Sequence, residues 1–286
     1  MLNMLEMKVA VVGGGRMGSG IAHAFLVAGA HVWLIEVDDA AADLARQTVV
    51  GTLHRAADRG FLTEDIDGVG RRLHVVGGIE ALENVPDAVI EAVPEDVRLK
   101  TEILGRLSQR FGAEVLIASN TSSISIDELS TVVKHPERFV GMHFFNPVPA
   151  SRLVEVVRGS ATSEDIVGRA VGLVDALLKQ PVVVSDSPGF ASSRLGVLLG
   201  LEAIRMLEEG VASAQDIDLA MELGYGHRMG PLRSTDLVGL DVRLGIAEYL
   251  EQELGPRFAP PALLRKMTEQ GHLGRKSGSG FFEWEK

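Results

Sequence analysis

The stretch Lys8–Asp38, KVAVVGGGRMGSGIAHAFLVAGAHVWLIEVD, decides the fold. Lys8 to Val12 is a short β-branched run of the kind that suits a buried parallel strand. Gly13, Gly15 and Gly18 then spell G-x-G-x-x-G, with Met17 inside the motif. A helical stretch follows to about Ala28, carrying Ile21, Ala22 and Phe25 at core spacing. Gly29 ends it, and HVWLIE reads as a second strand.

Each glycine has a mechanical reason. Gly13 permits the tight turn, Gly15 lets backbone approach a pyrophosphate, and Gly18 lets helix and strand pack closely. The helix N-terminus then offers unpaired amides and the positive end of its dipole to phosphates. Glu36 closes the second strand, 21 residues after Gly15. A carboxylate there accepts hydrogen bonds from ribose hydroxyls and repels a 2′-phosphate. The glycine motif alone is weak, because glycine-rich turns are common. Strand, turn, helix, second strand and acid in register point to a dinucleotide, NAD before NADP.

Composition bounds the rest. A net charge of −11, from 28 basic and 39 acidic residues, argues against nucleic acid or an anionic membrane as partner. A phosphate-bearing ligand therefore needs a local basic patch. Cysteine is absent, which excludes disulfides, thiolate metal sites and cysteine nucleophiles, and no metal is expected. No uninterrupted apolar run reaches ~18 residues, and no cationic, apolar leader precedes Lys8. A cytoplasmic protein is expected.

Downstream, Asp39 to about Arg59 reads as one helix, with Leu44, Thr48 and Leu53 on its apolar or neutral side and Arg55 and Arg59 sharing a face. RLHVV and DAVIEAV read as strands, Glu95 to about Arg110 as a helix, and EVLIASN as a strand ending in Ser119-Asn120-Thr121-Ser122-Ser123. RFVGMHFF, RLVEVV and PVVVSD are further strands, with a helix from about Ser163 to Lys179 before the last. Alternating elements of this kind predict an α/β fold with a doubly wound, Rossmann-type sheet over residues 1–186. Strand signals fade after Pro188-Gly189, and residues 187–286 read as an all-α C-terminal domain. Its first long helix, Leu195 to Glu208, is expected to bury Leu195, Leu198, Leu199, Leu201 and Ile204.

The polar residues within apolar runs carry the chemistry. An open α/β sheet binds ligands beyond the carboxyl ends of its strands. There Ser122 follows one strand, His143 ends another, and Glu155 lies on the next. Hydride exchange between NAD and a secondary alcohol needs a proton acceptor, and imidazole titrates in the useful range. A carboxylate would hold His143 in one tautomer, and Ser122 would hydrogen-bond the substrate oxygen. Blander readings stay open. The His–Glu pair serves equally as structure, the serine cluster as a cap for a helix near Ile126, and Arg55 and Arg59 as a solvated face.

Several longer segments extend the pattern: VVGGGRMGSGIA, EAVPED, SNTSSISI, RFVGMHFFNPVP, LVEVV, SPGF, DIDLAMELGYGHRMGPL, DLVGLDV and GRKSGSGFFEW. Together, over nearly the whole chain, they resemble the L-3-hydroxyacyl-CoA dehydrogenases, including bacterial 3-hydroxybutyryl-CoA dehydrogenases. The resemblance implies reversible oxidation of an (S)-3-hydroxyacyl-CoA to a 3-ketoacyl-CoA with NAD, with short chains such as 3-hydroxybutyryl-CoA expected as substrates, and a homodimer supported by the helical domain. It implies His143 as general acid/base, Glu155 as its partner, and Ser122 as a substrate contact. Glu36, Glu95, Lys100, Asn120, Asn146 and Lys276 fall where the family surrounds its dinucleotide. Thr52 and Arg59 look similar to its CoA-contacting positions. One departure stands out: Ser193 occupies the place of an asparagine that helps position substrate, and serine is shorter with one donor instead of two. The rival expectations are a same-fold dehydrogenase of a small hydroxy acid or sugar acid without CoA, and a non-enzymatic NAD-binding relative.

Overall fold

Val9 to Val12 are fully or almost fully buried, because β1 (Lys8–Val12) lies in the middle of a sheet covered on both faces. The computed structural model describes residues 2–62 and 64–285. In chain order the first unit contains β1, α1 (Arg16–Val27), β2 (His31–Ile35), α2 (Asp39–Asp58), α3 (Ile66–Gly70), β3 (Leu73–Val76) and β4 (Ala88–Glu91). It continues with α4 (Val97–Arg110), β5 (Leu116–Ser119), α5 (Ile126–Ser130), β6 (Phe139–Phe144), β7 (Leu153–Arg158), α6 (Glu164–Ala176) and β8 (Gln180–Ser185). The strands form one sheet in the order β3-β2-β1-β4-β5-β6-β7-β8. Every neighbouring pair is parallel except β6 and β7. This is the doubly wound arrangement: the order reverses at β1, opening a crevice where β1 and β4 diverge.

One face of the sheet packs Val9, Val11, Val32, Leu34, Val140 and Val154 in a single core with Ile21 and Phe25 of α1, Val49 and Leu53 of α2, and Leu173 of α6. On α2 the buried residues are Ala42, Ala45, Val49 and Leu53. Leu44 is off that stripe and 66% exposed, contrary to the sequence reading, because one residue turns the helix by about 100°. α4 begins at Val97, later than expected. Asp96 caps it by accepting from Leu99 N at 2.8 Å, which leaves Glu95 outside the helix to bind elsewhere. β8, at the sheet edge, leaves Val182 and Val183 exposed.

The chain divides into two compact units, Met1–Asp186 and Ser187–Lys286. The second consists of α7 (Ser192–Glu208), α8 (Ala214–Tyr225), α9 (Pro231–Val238), α10 (Leu240–Leu254) and α11 (Ala262–Glu269). Its core gathers Val197, Leu201, Ile204, Leu232, Leu240, Leu250, Phe258 and Leu264. Leu195, Leu198 and Leu199 are exposed, not buried as the spacing predicts. α7 is apolar on two sides, and the side carrying Val197, Leu201 and Ile204 joins the core of its unit. The C-terminal segment is tied down by fully buried Asp236, which accepts from Phe281 N, Phe282 N and Trp284 Nε1 at 2.8–2.9 Å. Among the described residues no helix is long and apolar enough to cross a membrane.

Candidate active site

Strand register assembles the site. Val12 of β1 pairs with Glu91 of β4, and Glu91 with Ser119 of β5. Gly141 of β6 is the partner of Ser119, so His143 stands two residues farther on, roughly 7 Å past the end of β5. β7 runs antiparallel, which returns Glu155 to the same level as the direct register partner of His143. Opposed residues of an antiparallel pair point to one face. His143 Nδ1 accordingly lies 2.9 Å from Glu155 Oε2, with the two residues 6% and 1% exposed. A carboxylate only accepts, so Nδ1 carries the hydrogen.

The turn after β5 is held by Glu95. Its Oε1 accepts from Thr121 Oγ1 at 2.7 Å, Ser122 N at 2.8 Å and Ser123 N at 3.1 Å. The Ser122 and Ser123 hydroxyls lie at 3.2 and 3.1 Å from the same oxygen. Ser122 therefore rests its proton on a crowded acceptor at the longest of these distances, and turning it to another oxygen costs little. The helix cap expected of this cluster comes instead from Ser125, just outside it, which accepts from Glu128 N. Asn120 joins the turn to the histidine strand: its Oδ1 accepts from Phe144 N at 2.9 Å, one residue beyond His143.

Beneath this turn Lys100, 1% exposed, donates to Glu91 Oε1 at 2.7 Å and Val93 O at 3.2 Å, and lies 3.3 Å from Glu95 Oε2. Ser119 Oγ donates to the other oxygen of Glu91 at 2.6 Å. Burial works to raise the pKa of Glu95, but the Lys100 charge and the Thr121, Ser122 and Ser123 donors outweigh it, and the net shift is downward. Glu95 is thus an ionised anchor at neutral pH. Glu91 and Ser119 were missed in the sequence. The available signal was a glutamate closing an apolar strand nine residues before a lysine.

The glycine turn fits a dinucleotide. Gly13 adopts φ +94, open to glycine but strained for other residues. A Cβ on Gly18 would stand 1.7 Å from Gly13 O, whereas one on Gly15 would meet nothing within 4 Å. The turn is therefore closed toward the sheet and open outward at Gly15, where a pyrophosphate would approach the amides of α1. Glu36, just after β2, accepts from Gly14 N at 2.5 Å and Val37 N at 3.1 Å, which sets its carboxylate beside the turn. Met17 sits half-buried in the first turn of α1 against the core.

The remaining candidates lie farther out. Asn146 is exposed beyond β6, and Arg59 is exposed at the end of α2. Thr52 Oγ1 donates to Val49 O at 2.7 Å and lies 3.0 Å from Nδ1 of His23, a buried histidine on α1. In the helical unit, Ser193 is half-buried near the start of α7, and Lys276 Nζ is 2.5 Å from Asp241 Oδ2.

Residues 8–187 match the model of the 3-hydroxyacyl-CoA dehydrogenase NAD-binding domain, and residues 189–284 match the model of the C-terminal domain of the same family. The chain belongs to the 3-hydroxyacyl-CoA dehydrogenase family. Its first unit is that family's NAD-binding domain, and its cofactor is NAD. It is 42% identical over 282 residues to the 3-hydroxybutyryl-CoA dehydrogenase of Mycobacterium tuberculosis, covering 97% of this chain and 98% of that one. With the 3-hydroxybutyryl-CoA dehydrogenase of Bradyrhizobium diazoefficiens it shares 39% identity over 280 residues, 97% and 95% of the two chains. The crystal structure of (S)-3-hydroxybutyryl-CoA dehydrogenase from Ralstonia eutropha superposes with a TM-score of 0.93 at 41% identity, covering 98% of this chain and 99% of that one.

Proposed function

We propose that this member of the family interconverts short-chain (S)-3-hydroxyacyl-CoA and 3-ketoacyl-CoA, with His143 and Glu155 as its acid/base pair. The observation that carries the reading is the 2.9 Å contact between Nδ1 and the carboxylate, placed beyond the carboxyl ends of the parallel strands. NAD, when bound, accepts the hydride from the carbinol carbon or returns it. In the oxidation direction Nε2 of His143 takes the hydroxyl proton as the C–O bond becomes a carbonyl. Glu155, one negative charge beside Nδ1, stabilises the imidazolium that forms. Ser122 turns its proton from Glu95 to the substrate oxygen and lowers the cost of charge there. Glu95, Asn120 and the buried Lys100–Glu91 pair fix the turn from which Ser122 acts.

Thr52 on α2 and Arg59 just after it are assigned to CoA, the exposed guanidinium supplying a local positive charge to an acidic protein. The exposed leucines of α7, with Leu223 and Tyr225 of α8 (79% and 78% exposed), support a homodimer built through the helical unit. Oxidation of NADH on adding acetoacetyl-CoA tests the activity, followed at 340 nm as is usual for the reduced cofactor. Protein that binds NADH yet turns over neither acetoacetyl-CoA nor longer 3-ketoacyl-CoAs would sink the reading.

A further inference from the structure

Two carboxylates share one buried ammonium beside the crevice of the first unit. Lys100 Nζ donates to Glu91 Oε1 at 2.7 Å and to Val93 O at 3.2 Å, and it lies 3.3 Å from Glu95 Oε2. An ammonium has three hydrogens, and each has a partner here. Glu91 meets donors only: Lys100 and, at 2.8 Å, Val93 N on one oxygen, and Ser119 Oγ at 2.6 Å on the other. It is therefore a carboxylate. Glu91 is fully buried, whereas the side chain of Glu95 is 35% exposed. Among the described residues Lys100 is the only cation paired with either acid, so the array keeps one negative charge.

The sheet fixes where that charge sits. Glu91 ends β4 in register with Val12, the last residue of β1, and with Ser119 of β5. The next residue, Ala92, donates its N–H to Val12 O at 2.8 Å, and its carbonyl oxygen is 3.0 Å from where a Cβ on Gly13 would stand. The segment that carries Glu91 thus backs directly onto the glycine turn. A dinucleotide lies across such a crevice with one mononucleotide on each half of the sheet. With the adenosine ribose at Glu36 beyond β2 and the pyrophosphate at the glycine turn, the nicotinamide half falls on the β4–β5 side. Glu91, Lys100 and Glu95 belong to that half.

From this placement we infer that the Glu91–Lys100–Glu95 array sets the redox preference of the bound cofactor, holding the oxidised form more tightly than a neutral array would. The nicotinamide ring carries a positive charge in NAD+ and none in NADH, because a hydride brings two electrons with its proton. A negative charge beneath that half of the site acts on the first form and not on the second. Burial leaves it little screened by salt or solvent. Lys100 makes the arrangement tenable, since two unpaired acids at this spacing would drive one of them to take a proton. Being fully buried, Glu91 acts on the ring by charge and through its neighbours, not by contact. It is a positioning residue.

The test measures Kd for NAD+ and for NADH by calorimetry in wild type, Glu91→Gln, Glu95→Gln and Ser119→Ala. Glutamine keeps the shape of Glu91 and an acceptor for Lys100, but it leaves the array neutral. Glu91→Gln is expected to weaken NAD+ relative to NADH by roughly threefold to thirtyfold, the range of one unit charge acting across a partly buried site. Glu95→Gln is expected to move the ratio the same way, and as the more exposed acid it decides the outcome if Glu91→Gln fails to fold. Ser119→Ala removes a hydrogen bond from Glu91 and no charge, so its ratio is expected to match that of wild type. Equal weakening of both cofactor forms in the glutamine variants would reduce the array to a structural support and overturn the inference. A shift in Ser119→Ala as large as that in Glu91→Gln would assign the effect to packing and overturn it as well. The titrations need no acyl-CoA, so their outcome and that of the acetoacetyl-CoA assay are separate.

Discussion

Two buried histidines in the first unit meet opposite surroundings. His143 faces a carboxylate at 2.9 Å, while His23 faces the Thr52 hydroxyl at 3.0 Å. Burial, with the charges of Lys179 and Arg55, lowers the pKa of His23 from 6.5 to about 4. Residue type and burial are the same at both sites, at 6% and 5% exposed, so partner charge sets what the ring can do. The His143 imidazole faces a negative charge. One among cations serves at neutral pH only as a hydrogen-bonding spacer.

The contrast is broken most strongly by replacing each ring. His143→Gln is expected to lower kcat by roughly 10²–10⁴-fold, the usual contribution of a positioned acid/base. NADH binding, followed by fluorescence titration, should persist. His23→Gln should leave the chemical step intact at neutral pH. Comparable loss of kcat in both variants would mean that burial, and not the carboxylate, is what matters. Next in size is Glu155→Gln, which gives His143 a neutral partner like that of His23. A loss of about 10²-fold in kcat is expected, because the amide keeps a hydrogen bond but not the charge that stabilises imidazolium. Unchanged turnover in Glu155→Gln would reduce the pair to a structural contact.

The two histidines also differ in how far the sequence disclosed them. His143 and Glu155 are legible because strand alternation is rigid: a proline-rich turn between two apolar runs brings residues twelve apart into register. The glycine turn is legible for the same reason, since backbone geometry there admits few residues. His23 stands in no motif that singles it out from the other histidines of the chain. Its Thr52 contact joins two helices, and helix faces slide and rotate in ways that spacing does not fix. The same freedom explains Leu44 and the three α7 leucines, where an apolar residue marked a stripe but not the side that is covered. The contact between Lys100 and Glu91 joins a helix to a strand and is equally hidden, although Lys100 itself stands out by resemblance. Arg243, buried in α10, lies beyond pattern reading altogether, because an arginine in a helix is by default a solvated one.

The third prediction sharpens the contrast through pH. The fold holds the pKa of His23 below that of the unfolded chain, so the unfolded chain binds the proton more readily between pH 6.5 and about 4. Wild-type stability is full above that window and falls as pH drops through it. At pH 5 the loss is on the order of 2 kcal/mol. His23→Gln should abolish this acid limb, so that urea midpoints of the two proteins converge or cross between pH 7 and pH 5. Parallel curves would show that His23 is not the titrating group.

The smallest effect concerns the partner hydroxyl. Thr52 Oγ1 already donates to Val49 O, so toward His23 it accepts, and Nδ1 carries the hydrogen there as it does in His143. Thr52→Val keeps the shape and removes the acceptor, leaving a buried N–H without a partner at a cost of about 1 kcal/mol at pH 7. The histidine can recover part of that by moving its proton to Nε2, a route closed to His143 while Glu155 holds Nδ1. Thr52→Ser should restore stability, since only the hydroxyl is needed. KM for acyl-CoA separates the two duties given to Thr52: a rise in Thr52→Val but not in His23→Gln would place the hydroxyl against CoA, whereas equal rises would mean that His23 positions it. Loss of stability without any change in KM would leave Thr52 as a tie between α1 and α2 and return the CoA contact to Arg59 alone.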